Sequence, residues 1–253
     1  MKILTYNVLC YGCEGHNWFD RKDDCIALVR KYMPDIFGLQ EAHWDWMKAF
    51  IDGMPEYDYV GAGREDGEKK GEFSPVFYNK NTFDLLDKGW FWISETPDVP
   101  SKSWDTCCIR ICSWAKLRCK KCGKEILAMN THLDHRSELA RSKGVELINK
   151  FAKQFDCPMV ITGDFNIPEK TDCYNDMINA GIFKDSKFLA PVLDDFPTFH
   201  KYFHHEDTEN EDVIDYIFVN DKFDVKSYEV IKDKLHGAYP SDHCPVIAEV
   251  KVK

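Results

Sequence analysis

Apolar positions along the chain recur at two spacings, strand-like and helical, and segments of the two kinds alternate. Residues 3–9 read as a strand that turns polar at Asn7. Residues 21–32 carry Ile26, Leu28 and Val29 on a helical face and stop before Met33-Pro34, because the residue ahead of a proline is biased out of the helical region. A short buried strand at 35–39 and a second helix at 43–51 follow. Residues 74–79 and 82–92 predict neighbouring strands joined by a turn at Asn79-Lys80-Asn81. Residues 107–118 alternate: Ile109, Ile111, Ser113, Ala115 and Leu117 take one face, and Arg110, Cys112, Trp114, Lys116 and Arg118 the other. A turn at 120–123 leads into a strand at 125–131, then a long amphipathic helix at 138–155. A buried strand at 159–162, a helix at 171–180 closed by Gly181, and strands at 213–219, 223–231 and 245–250 complete the chain.

Helices and strands mixed throughout, with several hairpin-like pairs, predict α/β layers with mixed sheets. No repeat, low-complexity tract or linker interrupts the pattern, so one domain is expected over residues 1–253. Hydrophobic residues at 44% and charged residues at 30% exclude a disordered chain. No apolar run approaches the roughly 18 residues that span a bilayer, so no membrane partner is expected. The first residues turn polar too soon for a signal peptide, and a cytoplasmic location follows as the expectation. The 11 cysteines, odd in number and scattered from Cys10 to Cys244, read as reduced thiols rather than a disulfide framework. A net charge of −10 disfavours loose, sequence-independent nucleic-acid binding. No obligate protein partner is indicated.

Polar residues fall where the predicted strands end. Asn7 closes the first, Glu41 follows the second, Asn130 and His132 end a third, and Asp164 and Asn166 follow 160–163. Asp215 sits inside an apolar strand, where an ionised carboxylate needs a partner. Asp242 and His243 immediately precede the last strand. Taken singly, each has an ordinary structural role: a helix cap for Glu41, an Asx turn for Asp164-Phe165-Asn166, a satisfied core histidine for His132. Taken together, Thr5-Tyr6-Asn7-Val8-Leu9, Leu39-Gln40-Glu41, Asn130-Thr131-His132-Leu133, Gly163-Asp164-Phe165-Asn166, Ile214-Asp215-Tyr216-Ile217-Phe218 and Ser241-Asp242-His243-Cys244-Pro245 form an ordered set. That set resembles the endonuclease/exonuclease/phosphatase superfamily, which includes apurinic/apyrimidinic endonucleases, pancreatic-type deoxyribonucleases, deadenylases, sphingomyelinases and inositol-polyphosphate phosphatases.

The resemblance implies a four-layer α/β sandwich, two mixed β-sheets face to face with helices outside, and hydrolysis of phosphate esters with Mg²⁺, or Mn²⁺ in its place. The substrate stays open between a small phosphorylated molecule and a nucleic acid. An anionic ester repels a nucleophile, so a site must neutralise charge, activate water and stabilise the leaving oxygen. Glu41 is the natural first metal ligand, with Asp242 and Asn7 helping directly or through water. Asp164 is placed as the base that aligns or deprotonates water, with Asn166 orienting it. His243 binds a phosphate oxygen or acts as a base, held by Asp215, and His132 donates to a phosphate oxygen or the leaving group. Arg110 and Trp114 share a strand face, which makes them candidates to contact phosphate and to stack on the substrate; for Trp114, packing is the stronger reading. A catalytically inactive binding module on the same fold is the competing class, and the complete polar set argues against it. Cys119-Lys120-Lys121-Cys122 has half of a zinc-knuckle spacing, with Cys107, Cys108 or Cys112 as the only nearby further ligands, and reads as an ordinary turn. His200, His204 and His205, beside Glu206, Asp207 and Glu209, read as a solvated loop over the site.

Overall fold

A computed structural model describes residues 1–10, 17–200 and 212–253. It contains two sheets of six strands each. The first runs β11 (Phe223–Val230), β12 (Val246–Val252), β1 (Lys2–Asn7), β2 (Ile36–Gln40), β4 (Val76–Asn79), β3 (Tyr57–Val60). The second runs β5 (Phe83–Trp92), β6 (Ile111–Cys119), β7 (Glu125–His132), β8 (Met159–Asp164), β10 (Asp215–Val219), β9 (Lys184–Asp185). β1 lies parallel to β2 and β7 parallel to β8, with antiparallel neighbours elsewhere, so both sheets are mixed. Helices α1 (Trp18–Tyr32) and α2 (Trp44–Gly53) cover the outside of the first sheet, sharing a core with Leu4, Tyr6, Phe37 and Leu39. Helix α3 (Glu138–Ala152) and α4 (Asp172–Asn179) cover the second, over Leu127, Met129, Ile161 and Phe218. Between the sheets lies a third core that includes Ile3, Ile36, Ala128, Val160, Ile217 and Val246.

The two-residue period of a strand explains the site's position. On β1 the inward positions read Ile3, Thr5, Asn7; on β2, Ile36, Gly38, Gln40; on β7, Ile126, Ala128, Asn130, His132; on β8, Val160, Thr162, Asp164. Each inward face changes from apolar to polar toward the strand's C-terminal end. The inter-sheet core therefore becomes a polar chamber at one edge of the sandwich. β10 enters from that edge, so its first inward residue is Asp215, opposite Asp164. Asn130 ties the sheets together there: its Oδ1 accepts from Gln40 Nε2 at 2.7 Å and Thr162 Oγ1 at 3.0 Å, and its Nδ2 donates to Leu39 O at 2.7 Å. The approach needs a glycine at Gly38, where a Cβ would sit 2.3 Å from both Asn130 Oδ1 and Thr162 Oγ1.

Two expectations about the elements are corrected. Strands 74–79 and 82–92 are not neighbours: β4 pairs with β2 and β3, whereas β5 pairs with β6 in the other sheet. Asn79 Oδ1 accepts from Asn81 N at 2.9 Å in a local turn, and Thr82 O accepts from Lys120 N, which carries the chain across. Residues 107–110 lie outside the strand, because Thr106 Oγ1 and Cys107 N bond the Asp134 carboxylate at 2.7 and 3.0 Å and draw the chain away. The 120–123 turn is as expected. Cys119 and Cys122 sit at the opposite end of β6 from Cys107 and Cys108, and Cys112 is buried within it, so these cysteines form no shared cluster. No helix of the described residues is long and apolar enough to cross a membrane.

Candidate active site

Asp164 Oδ2 is the focus of the polar chamber. It accepts from Asn7 Nδ2 at 3.0 Å and lies 3.4 Å from His132 Nε2 and 3.8 Å from His243 Nε2. The same Asn7 amide donates to Glu41 Oε1 at 3.1 Å, and Glu41 Oε2 accepts from Cys10 N at 3.0 Å. Asn7 Oδ1 accepts from Leu9 N at 2.9 Å, so Asn7 turns its donor toward both carboxylates and positions them rather than offering an oxygen. Glu41 itself has φ 61°, a left-handed conformation uncommon for a residue with a side chain. Asp164 Oδ1 accepts from Asn166 N at 2.9 Å, and Asn166 Nδ2 donates to Leu133 O at 3.1 Å, so Asn166 braces the turn. On the opposite side, His243 Nδ1 lies 2.8 Å from Asp215 Oδ2, and Thr198 Oγ1 accepts from Asp215 N at 3.1 Å.

The charges in this chamber are strongly coupled. Burial alone would strip the proton from His243, but the Asp215 carboxylate, with Asp164 and Asp242 nearby, holds it, pushing its pKa up to about 10. His243 is therefore an imidazolium at neutral pH. Burial, reinforced by Asp215, pushes Asp164 up to about 7 despite the opposing His243 charge. His132 is driven well below the ordinary histidine range by burial and by the Arg110 and Arg64 guanidinium groups, and is a neutral ring. Burial and the neighbouring Glu41 raise Asp242. Glu41 is held below the usual carboxylate range: burial opposes this, but the Cys10 N–H and the Asn7 amide outweigh it.

A divalent cation fits this donor set. Glu41 raises the cost of ionising the buried Asp242, and Asp215 Oδ1 is buried with no hydrogen-bond partner among the described residues. Hard carboxylate oxygens of this kind suit magnesium or manganese.

Trp114 is not part of the chamber. Its ring packs 5.4 Å from Phe151 and 6.0 Å from Phe155 beneath α3, because its strand face is the outer one. Arg110 lies at the chamber's side, buried, with Nη2 3.1 Å from His135 Nδ1. His200 is 2% exposed beside Tyr239, not solvated, and its N–H donates to Asp242 O. His204, His205, Glu206, Asp207 and Glu209 lie outside the described residues.

Several contributors escaped the sequence reading. Glu72 pairs with Arg64 and lies 3.9 Å from His132 Nδ1. Arg21 is the most consequential. Its guanidinium donates to Val8 O and Leu9 O at 2.9 Å, and to Pro240 O at 2.7 Å, tying the loop that carries Asn7 and Cys10 to the one that carries Asp242. The available signal was its place four residues before Cys25, on the buried face of α1. Arg21→Met should cost about 3 kcal/mol by leaving buried carbonyls unpaired, read as a lowered midpoint of thermal unfolding. A wild-type melting curve would refute the clamp.

Comparison with known proteins agrees with this arrangement. Residues 4–243 match the model of the Endonuclease/Exonuclease/phosphatase family. A mannosyl-6-phosphatase of Bacteroides thetaiotaomicron is 36% identical, with 99% of each chain covered and a TM-score of 0.92. An endonuclease/exonuclease/phosphatase of Bacteroides vulgatus is 34% identical over 100% of this chain and 98% of that one, with a TM-score of 0.94. An uncharacterized protein of Acanthamoeba polyphaga mimivirus is 30% identical over 183 residues, 67% of this chain and 68% of that one. Members of the family hydrolyse phosphate esters and generally use divalent metal ions. With the match running from the first strand to His243, the chain belongs to the endonuclease/exonuclease/phosphatase family and is a hydrolytic phosphoesterase.

Proposed function

We propose that the chain, as one domain over its 253 residues, is a magnesium-dependent phosphomonoesterase of sugar phosphates, with water attacking phosphorus in line with the departing oxygen. The observation that carries the chemistry is Asp164 Oδ2, which faces His132 at 3.4 Å and the protonated His243 at 3.8 Å. The full-length similarity to a mannosyl-6-phosphatase supports the substrate class. Glu41 and Asp242 would hold the metal, magnesium or manganese, and its charge would serve to neutralise the ester and stabilise the leaving oxygen. Asp164, with a pKa near the operating pH, takes the proton of the attacking water. Asn166 fixes the orientation of Asp164 through its backbone N–H. His243, kept cationic by Asp215, holds a non-bridging phosphate oxygen, and the neutral His132 donates to the phosphate or the leaving group. Arg110 adds positive potential beside His132. The 11 cysteines, odd in number and scattered along the chain, support a reducing, cytoplasmic setting.

The test is a substrate panel at saturating magnesium: hexose 6-phosphates, nucleotides, phosphodiesters and short DNA and RNA. We expect kcat/KM for sugar monoesters to exceed that for oligonucleotides by at least about 100-fold, which is about 2.7 kcal/mol of differential transition-state binding. The reverse order would make the chain a nuclease, and no turnover of any ester would make it a binding module.

A further inference from the structure

We propose that Cys107, Asp134 and His135 form a second cation site, selective for a borderline-soft divalent ion such as zinc and separate from the magnesium centre. Pairing of β6 with β7, with Cys112 opposite Thr131, brings the loop before one strand against the segment after the other. Cys107 Sγ lies 3.0 Å from Asp134 Oδ2, 3.6 Å from His135 Nδ1 and 3.7 Å from His135 Nε2. One donor atom from each of the three residues lies within 4.8 Å of the others. Tetrahedral zinc with ordinary bond lengths separates sulfur from nitrogen or oxygen by about 3.5 Å. The nitrogen already stands at that distance, and the oxygen must retreat by only about half an ångström. Cys108 Sγ, 3.6 Å from Cys107 Sγ, offers a fourth ligand.

The surroundings are built to hold this arrangement. Asp134 is fixed by N–H groups of Cys107, Arg136 and Ser137 and by the Thr106 hydroxyl. Trp104 and Asp105 hold φ of 57° and 59° to bring the loop in, and Trp104 O accepts from Ser137 Oγ. Two thiolates, a carboxylate and a dication sum to one negative charge, and the Arg110 guanidinium, with Nε 4.0 Å from Asp134 Oδ2, balances it. Sulfur and imidazole donors favour zinc over magnesium. Burial and Asp134 keep the Cys107 thiol protonated in the metal-free protein, its pKa pushed up to about 12. Zinc uptake therefore releases thiol protons to solvent and strengthens as pH rises. It also exchanges the Arg110–His135 hydrogen bond for a metal–nitrogen bond.

The test is cobalt and zinc binding to the purified chain in excess magnesium. Wild-type protein should take up one zinc, and cobalt should give a thiolate charge-transfer band in the near ultraviolet. Cys107→Ser, which keeps a hydroxyl donor for Asp134, should at least halve the band and weaken zinc binding at least about tenfold. His135→Ala is the second variant, expected to weaken zinc binding while Cys10→Ser and Cys122→Ser leave it unchanged. Thermal melts check that each variant folds. A wild type with no thiolate band would make the cluster a hydrogen-bonded knot only. A band undiminished in Cys107→Ser, or one that disappears with Cys10→Ser or Cys122→Ser, would overturn the assignment.

Discussion

His243→Ala is expected to lower kcat/KM by about 10²–10³-fold, the loss typical of removing one transition-state or acid–base contact. The direction of the pH dependence follows from its partner. His243 is protonated below about 10, and a cation is what a phosphate oxygen needs, so activity should fall as pH rises through that value. Asp164 acts ionised, so activity should rise as pH climbs through about 7. The profile is therefore a bell, and its two limbs belong to a coupled pair whose nearest atoms are 3.8 Å apart. Asp215→Asn removes the charge that holds the His243 proton but leaves the ring in place. It should cost less than His243→Ala and move the falling limb to lower pH. Near wild-type rates in a folded His243→Ala variant, or a falling limb that stays put in Asp215→Asn, would show that His243 is not the phosphate-binding cation.

Exhaustive chelation is expected to remove activity by about 10³-fold or more, since charge stabilisation by a bound metal supplies several kcal/mol. Magnesium or manganese should restore it. Glu41→Gln keeps a side chain of the same size while removing the charge, so it should weaken metal binding by at least about tenfold and leave the melting temperature nearly unchanged. Glu41 lies beyond the end of β2, and its carboxylate is held by hydrogen bonds from Asn7 Nδ2 and Cys10 N, which a Gln Oε1 can still accept in part. Full activity after metal removal would reject the metal-assisted mechanism, and wild-type metal affinity in Glu41→Gln would place the ion elsewhere.

The site was legible where chemistry lies on strand periodicity. Asn7, His132, Asp164 and Asp215 each break an inward apolar face at the end of a strand, and such a break is visible in a one-dimensional pattern. Trp114 shows the limit of the same rule. Alternation separates the two faces of β6 correctly, yet nothing local says that the Trp114 face is the one α3 covers. The assignment of β4 and β5 to different sheets was hidden for a related reason. A short polar turn looks the same whether it joins neighbours or crosses the sandwich. Arg64 and Glu72 sit in the segment between β3 and β4, which has no periodicity to place them. Arg21 acts on carbonyl groups far away in the sequence, Pro240 being 219 residues distant, and only the fold creates that contact.

Hydrolysis of a sugar 6-phosphate in ¹⁸O-enriched water, followed by mass spectrometry of both products, tests the central claim most directly. Attack of water on phosphorus predicts one ¹⁸O atom in each inorganic phosphate released and none in the sugar, with the reaction dependent on magnesium. Label in the sugar hydroxyl, or phosphate released without label, would contradict it.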